Sequence, residues 1–347
     1  MQLYKTAIRP LLFRFPPEYA QGVADSILKL PCFSRAISPF FDYGDSRLEV
    51  SAGNLTYPSP VGIAAGYDKD CRFLDRLMSL GFGYVVGGTV TLEPRPGNPS
   101  PRLLRLPSKN ALINALGFPG KGLIIAKENL ERIQNSRSNK AKPVIVSVSG
   151  LSIEEIAQCH GTLEPLVDAI EVNISSPNTE GIRVFQKPEK FKELLQTLNE
   201  ERVKPLLVKM PPYTSEEGRE NVLTLVRIAL KEGIDAITAA NTHPITDIKL
   251  AVGRGGLSGQ PLLQDTIRIV QEIRLEVGKD VAISACGGIF TYLDAIRAIR
   301  AGADTVQLFT GLVYEGPSVA KNINLGLIKY MNQKGIQSIR ELAKPEA

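Results

Sequence analysis

The stretch Ala169-Ile170-Glu171-Val172-Asn173-Ile174-Ser175-Ser176-Pro177-Asn178-Thr179 changes character at its middle. A short β-branched run gives way to a polar turn. Hydrophobicity that does not alternate strictly marks a strand covered on both faces, as parallel strands are. Working outward, seven more such runs occur: Val61–Ala65, Tyr84–Val90, Val144–Val148, Leu206–Met210, Ala236–Ala240, Val281–Ala285 and Thr305–Phe309. Segments with a helical period and a polar face fill the gaps, among them Pro188–Asn199, Glu216–Glu232, Leu263–Val277 and Tyr292–Ala301. Eight parallel strands alternating with helices predict an α/β fold, a closed (β/α)8 TIM barrel.

Three regions fall outside the alternation. Between the second and third runs, residues 91–142 hold Pro94, Pro96, Pro99, Pro101 and Pro107, and a connection of that length usually serves the site. Before the barrel, Leu48-Glu49-Val50, Ser51-Ala52-Gly53-Asn54 and Leu55-Thr56-Tyr57 read as a hairpin plugging the barrel floor. Residues 1–45 form a small N-terminal helical extension. There Leu3, Ile8, Leu11 and Leu12 recur at helical spacing among Lys5, Arg9 and Arg14, and a second amphipathic stretch spans Glu18 to Leu30. Helices packed on the barrel and helices lying on a membrane are both open readings. The chain thus divides into an extension, 1–45, and a barrel, 46–347.

Composition narrows the chemistry. The 347 residues carry 41 Lys and Arg against 36 Asp and Glu, a formal charge of +5, too mild for a nucleic-acid surface. Cys32, Cys71, Cys159 and Cys286 form no C-x-x-C pair, and His160 and His243 are the two histidines, so no metal site has its usual spacing. No apolar run is long enough to span a bilayer, and Met1-Gln2-Leu3-Tyr4-Lys5 lacks the features of a signal peptide. A cytoplasmic-side location is expected.

Barrel chemistry collects at the C-terminal ends of the strands. Those ends read Ala64-Ala65-Gly66-Tyr67-Asp68-Lys69, Gly87-Gly88-Thr89-Val90-Thr91, Asn173–Thr179, Val208-Lys209-Met210, Ala239-Ala240-Asn241-Thr242, Cys286-Gly287-Gly288 and Leu308-Phe309-Thr310-Gly311. Glycine pairs on consecutive strands suit a phosphate held by backbone N–H groups, although each pair alone is equally turn or cap chemistry. The loop Gly255-Gly256-Leu257-Ser258-Gly259 adds donors on the same side. Lys209, ending an apolar strand, faces either an anion or electron-rich ring, or a carboxylate across the barrel. Lys69, beside Asp68, has the same two readings. Asn173, Ser176 and Asn178 could hydrogen-bond an imide, but Ser-Ser-Pro-Asn is also ordinary turn material.

In combination these residues resemble the dihydroorotate dehydrogenase family, most closely its class 2, quinone-linked branch. The resemblance runs from Arg9-Pro10-Leu11-Leu12-Phe13-Arg14 with Pro17-Glu18 to Gly316-Pro317. It rests on Ala64–Lys69, Thr89-Val90-Thr91, Gly97-Asn98-Pro99 with Pro101-Arg102, Ile113-Asn114 with Gly117-Phe118, Asn173–Thr179, Val208-Lys209, Asn241-Thr242, Gly255–Gly259 and Gly287-Gly288. It implies oxidation of dihydroorotate to orotate in pyrimidine biosynthesis. FMN would be held by Ala65, Gly66, Thr89, Asn173, Lys209, Gly259, Gly288, Phe309 and Thr310. The substrate would be held by Lys69, Asn114, Gly117, Phe118, Asn173, Asn178, Asn241 and Thr242. Ser176 matches the base that removes a proton from C5 while C6 gives a hydride to the flavin. The N-terminal helices would form a hydrophobic mouth admitting quinone from a membrane to which the protein is peripheral, with Arg105 at that mouth.

The chain departs from the branch at several places. Gln21 replaces a usual histidine, Phe309 a tyrosine, Ala240 a threonine and Pro119 an asparagine, and Ser147 stands where an FMN-contacting asparagine is usual. The first two remove polar groups from the quinone path, so the flavin half-reaction is better marked than the acceptor. Two other readings follow: a related FMN barrel using fumarate or another acceptor, or acting on a dihydropyrimidine-type substrate; and a non-redox barrel binding a phosphorylated ligand.

Overall fold

The computed structural model describes residues 3–30, 33–136, 142–179 and 181–343. Cys32, residues 1–2 and 31–32 of the extension, and residues 344–347 of the barrel segment lie outside the described residues. After a π-helical turn, Tyr4–Ile8, come α1 (Arg9–Leu12), α2 (Pro17–Leu28) and α3 (Phe33–Phe41). Then follow β1 (Val50–Ala52), β2 (Leu55–Tyr57), β3 (Val61–Ile63), α4 (Leu74–Met78), β4 (Tyr84–Val90), β5 (Leu103–Leu106), β6 (Ala111–Asn114), α5 (Gly122–Ser136), β7 (Val144–Val148), α6 (Ile153–Leu163), β8 (Ala169–Asn173) and α7 (Pro188–Glu201). The chain continues through β9 (Leu206–Lys209), α8 (Glu216–Lys231), β10 (Ala236–Ala239), β11 (His243–Thr246), β12 (Arg254–Gly259), α9 (Leu263–Val277), β13 (Ala282–Cys286), α10 (Tyr292–Arg300), β14 (Thr305–Leu308), α11 (Thr310–Glu315) and α12 (Val319–Lys334).

Eight parallel strands close a barrel in the order β3-β4-β7-β8-β9-β10-β13-β14. The expected TIM barrel is present, and its strands are the eight runs read from sequence. All residues of β4, β7, β8, β9, β10 and β14 are buried, as strands between a packed interior and a helical shell must be. Most runs stop one or two residues short of their sequence limits, because the last residues turn into the site. Helix starts follow local chemistry: Ser152 caps α6, Ser215 caps α8, and Thr291 forms a capping box with Asp294 at α10.

The expected hairpin is β1–β2, antiparallel, turning through Gly53 and Asn54 at φ of 57° and 58°. Tyr57 packs edge-on against Tyr84 at 4.8 Å, and a Cβ on Gly53 would press Ala236 and Ala282 at the strand starts, so the hairpin closes the floor.

The barrel mouth is more structured than its sequence suggests. Residues of the proline-rich segment form β5 and β6, and Gly255–Gly259, read as a loop, belongs to β12. Together with β11 they make a four-stranded antiparallel sheet, β11-β12-β6-β5. The N-terminal extension lies against this mouth. It contains α3 in addition to the two amphipathic stretches expected. Arg102 clamps Glu18 through Nε and Nη2 at 3.0 and 2.8 Å, Arg72 pairs with Asp25 at 2.9 Å, and Arg9 donates to Tyr314 O at 2.9 Å.

Candidate active site

A single cavity of about 600 Å³ opens at the C-terminal end of the barrel. It runs from the strand ends, past the four-stranded sheet, to a throat lined by α1, α2 and α3. Every candidate residue named from sequence lines it: Ala65, Gly66, Lys69, Thr89, Asn114, Gly117, Phe118, Asn173, Ser176, Asn178, Lys209, Asn241, Thr242, Gly259, Gly288, Phe309 and Thr310.

Near the barrel axis the polar groups hold one another. Asn173 Nδ2 donates to Thr89 Oγ1 at 3.1 Å, and that hydroxyl contacts Ser147 Oγ at 3.0 Å. Ser147 is fully buried, so it reaches the cavity only through Thr89. Asn173 Oδ1 accepts the N–H and hydroxyl of Ser175 at 3.1 and 2.8 Å, and Ser175 Oγ accepts from Asn241 Nδ2 at 2.9 Å. Asn241 Oδ1 in turn receives the Thr242 N–H at 2.8 Å. Two asparagine side chains, at the ends of β8 and β10 on either side of β9, are thereby fixed in orientation.

Toward the sheet, Asn178 Nδ2 donates to Asn114 Oδ1 at 2.8 Å, Asn114 Nδ2 to Gly256 O at 3.3 Å, and Asn98 Nδ2 to Asn178 O at 3.3 Å. Asn178 Oδ1 is buried without a partner, an acceptor left open beside the cavity. Ser176, 6% exposed, receives the Asn178 N–H on its Oγ at 3.3 Å. That bond occupies an oxygen lone pair and leaves the hydroxyl proton available.

Lys69 Nζ donates to Gly66 O at 2.7 Å, which bends its side chain back over the first strand end. Burial holds its ammonium below the ordinary lysine range, against the pull of Asp25 and Asp68. Asp68 accepts the Arg72 and Phe73 N–H groups at 2.9 and 2.6 Å, yet burial pushes its carboxyl up to about 6. For Lys209, burial works against the charge, but Cys286 and Glu171 turn the shift upward. Its ammonium lies 3.8 Å from Cys286 Sγ.

The family described as dihydroorotate dehydrogenase matches residues 47–331 of this sequence. The chain belongs to the dihydroorotate dehydrogenase family. The dihydroorotate dehydrogenase (quinone) of Roseiflexus castenholzii is 36% identical, with 98% of this chain and 96% of that protein aligned. Its counterpart in Natronomonas pharaonis is 37% identical over 98% of both, and that of Thermus thermophilus 35% identical over 96% and 99%. The fold also matches the DHODH of Eimeria tenella. With ferulenol the TM-score is 0.83 at 28% identity over 94% of both chains; for the ligand-free form it is 0.84 at 29% over 94% and 98%.

A dihydroorotate dehydrogenase is an oxidoreductase working with a flavin, and these residues fit one. Lys209 brings a buried cation with spare donors to the cavity wall, as the pyrimidine end of a reduced flavin requires. At the seventh strand end, Gly287 and Gly288 have φ of 131° and 77°, and a Cβ on Gly288 would meet Leu263 N at 2.5 Å. Bare backbone is thus obligatory where a phosphate would sit. Ser175, Asn98, Glu171 and Cys286 were not singled out as site residues. Glu171 had a signal, a carboxylate inside an apolar run; the others became visible through their partners.

Proposed function

We propose that the protein oxidises dihydroorotate to orotate with bound FMN and passes the electrons to quinone. The observation carrying this reading is the juxtaposition, in one cavity, of Ser176, four asparagines and two lysines beneath an apolar throat. Asn173, Asn114, Asn178 and Asn241 offer donors and acceptors without charge, which suits the dioxopyrimidine edge of the substrate. Gly117, Phe118 and Thr242 shape the remaining wall. Lys69, held over the first strand end by Gly66 O, answers the substrate's negative charge.

FMN would lie on Ala65, Gly66, Thr89, Asn173, Lys209, Gly259, Gly288, Phe309 and Thr310, where it supplies a two-electron acceptor for the hydride leaving C6. Ser176 takes the proton from C5. An alkanol is a weak base, so Ser176 Oγ must hand its own hydroxyl proton onward as it takes the one from C5. The Asn178 N–H on Ser176 Oγ stabilises the negative charge that the oxygen carries while its own proton is leaving and before the C5 proton has arrived.

The quinone half rests on the throat. Phe13, Ala24, Ile27, Phe33 and Ile37 give it an apolar lining. Gln21, where the branch usually carries histidine, spends its amide N–H on Tyr67 O at 3.1 Å, and Phe309 packs edge-on against Tyr67 at 5.6 Å. Arg105 donates to Phe15 O at 2.6 Å and lies over the Phe13 ring, so it braces the mouth. Around the mouth, Leu3, Ile8, Leu11, Phe15, Tyr19, Ile27, Leu30 and Phe40 are all exposed. An apolar rim of that kind suits peripheral contact with a membrane.

The purified protein should be yellow, and dihydroorotate should bleach it under anaerobic conditions. Ser176→Ala should slow that bleaching by about 10²-fold or more, the usual worth of a positioned base. An unchanged bleaching rate removes Ser176 from its role. Faster reoxidation by fumarate than by quinone analogues removes the acceptor assignment.

A further inference from the structure

Inside the barrel, one turn of strand below the cavity wall, lies a carboxylate that none of the steps above employs. Glu171 on β8 is 0% exposed. Its Oε2 accepts from Thr238 Oγ1 at 2.7 Å, while Oε1 has no partner. Gln307 Nε2 reaches the same Thr238 hydroxyl at 3.5 Å, and its Oε1 is also unpartnered. A carboxylate so enclosed is costly unless a cation balances it.

The cation on the neighbouring strand is Lys209, itself 5% exposed. Strand register sets it between Asn173 of β8 and Thr238 of β10, so Glu171 and its hydrogen-bond partner come from the two strands flanking the lysine. The titratable groups facing Lys209 are Glu171 from β8 and Cys286 from β13. Burial pushes the Cys286 thiol up, which leaves it neutral near pH 7. Sulfur at 3.8 Å is moreover a weak acceptor. Glu171 is then the carboxyl side chain of the cluster.

We infer that Glu171 is a positioning residue acting through Lys209: its carboxylate keeps the ammonium charged and in place under the flavin, and so tunes the flavin's reduction potential. The inference rests on the FMN reading above. With the carboxylate present, part of the lysine's field is cancelled. Without it, the full positive charge favours the electron-rich reduced cofactor, and the lysine gives up its proton at lower pH.

Glu171→Gln keeps an acceptor for Thr238 and removes the charge. Dye-referenced anaerobic titration of the FMN-loaded protein should show the preference for reduced over oxidised FMN rising about tenfold near neutral pH, about 30 mV for a two-electron couple. The alkaline fall of the potential should begin at lower pH than in the wild type. In a Lys209→Met background, where the enclosed carboxylate has no cation to balance it, Glu171→Gln should shift the potential by much less than in the wild type. If Glu171→Gln does not fold, Glu171→Asp, which withdraws the charge without deleting it, should give a smaller shift of the same sign. A yellow, folded variant with an unchanged potential overturns the Glu171 role alone, as does a shift that persists in full without Lys209. A wild-type protein that stays colourless with FMN overturns the flavin reading and this inference together, and is recognised before any titration.

Discussion

Lys69 sits where burial and charge oppose each other. Its depressed pKa means the folded protein binds that proton less tightly than the unfolded chain does, so the charged lysine costs stability. The cost is relieved as pH rises through the folded value toward the ordinary 10.5. Over that window the melting temperature of the wild type should rise relative to Lys69→Met, while its KM for dihydroorotate should climb as the cation is lost. A KM that stays flat over the same range separates Lys69 from the substrate. Gly256 is a second sensitive point, since a Cβ there would lie 2.0 Å from Thr242 Oγ1 and 3.2 Å from Pro177 Cγ. Gly256→Ala should therefore displace the substrate wall, raising KM about tenfold or more at a stability cost of about 1–3 kcal/mol by overpacking. Steady-state kinetics and urea unfolding check the two parts.

Among elements, α10 shows how a short signal positions a long wall. Asp294 accepts the N–H groups of Phe290 and Thr291 at 3.1 and 2.8 Å, and Thr291 Oγ1 completes the box. The box fixes the turn Gly287–Phe290 that lines the cavity. Thr291→Ala should cost about 1 kcal/mol in urea unfolding and loosen FMN retention on gel filtration; full stability would show that the neighbouring packing holds the turn unaided. The helices α7 to α10 were legible from their period because their apolar stripes face one barrel. The mouth sheet was not. Its strand β12 reads Arg-Gly-Gly-Leu-Ser-Gly and pairs with β6 about 140 residues earlier, Gly256 against Asn114. Glycine-rich strands lack the apolar signature, and pairing across such a separation leaves no local period.

At the scale of the whole molecule, a closed barrel and an apolar cap divide the labour. Among the described residues, no helix is long and apolar enough to cross a membrane. The cap instead exposes Leu11 and Leu30, 56% and 54% accessible and apart from the cavity lining. Replacing both with Glu should leave bleaching by dihydroorotate intact and reduce co-sedimentation with lipid vesicles severalfold, along with turnover of vesicle-borne quinone. Undiminished vesicle binding would remove the membrane from the account.

The eight-stranded barrel and the composition of its strand ends follow from sequence alone, because β-branched runs covered on both faces and glycines freed from side chains are local properties. The family resemblance rested on the same local motifs. What tertiary structure decided is which of those groups meet. Asn241 locks into one network with Ser175 and Asn173, and Asn178 turns onto Asn114, through contacts between residues far apart in the chain, while strand pairing sets Glu171 and Lys209 on adjacent strands. Whether a buried lysine balances a carboxylate or faces a ligand depends on which strand closes against which. Barrel closure sets that, and in this protein it puts Lys209 on the cavity wall and on the strand beside Glu171.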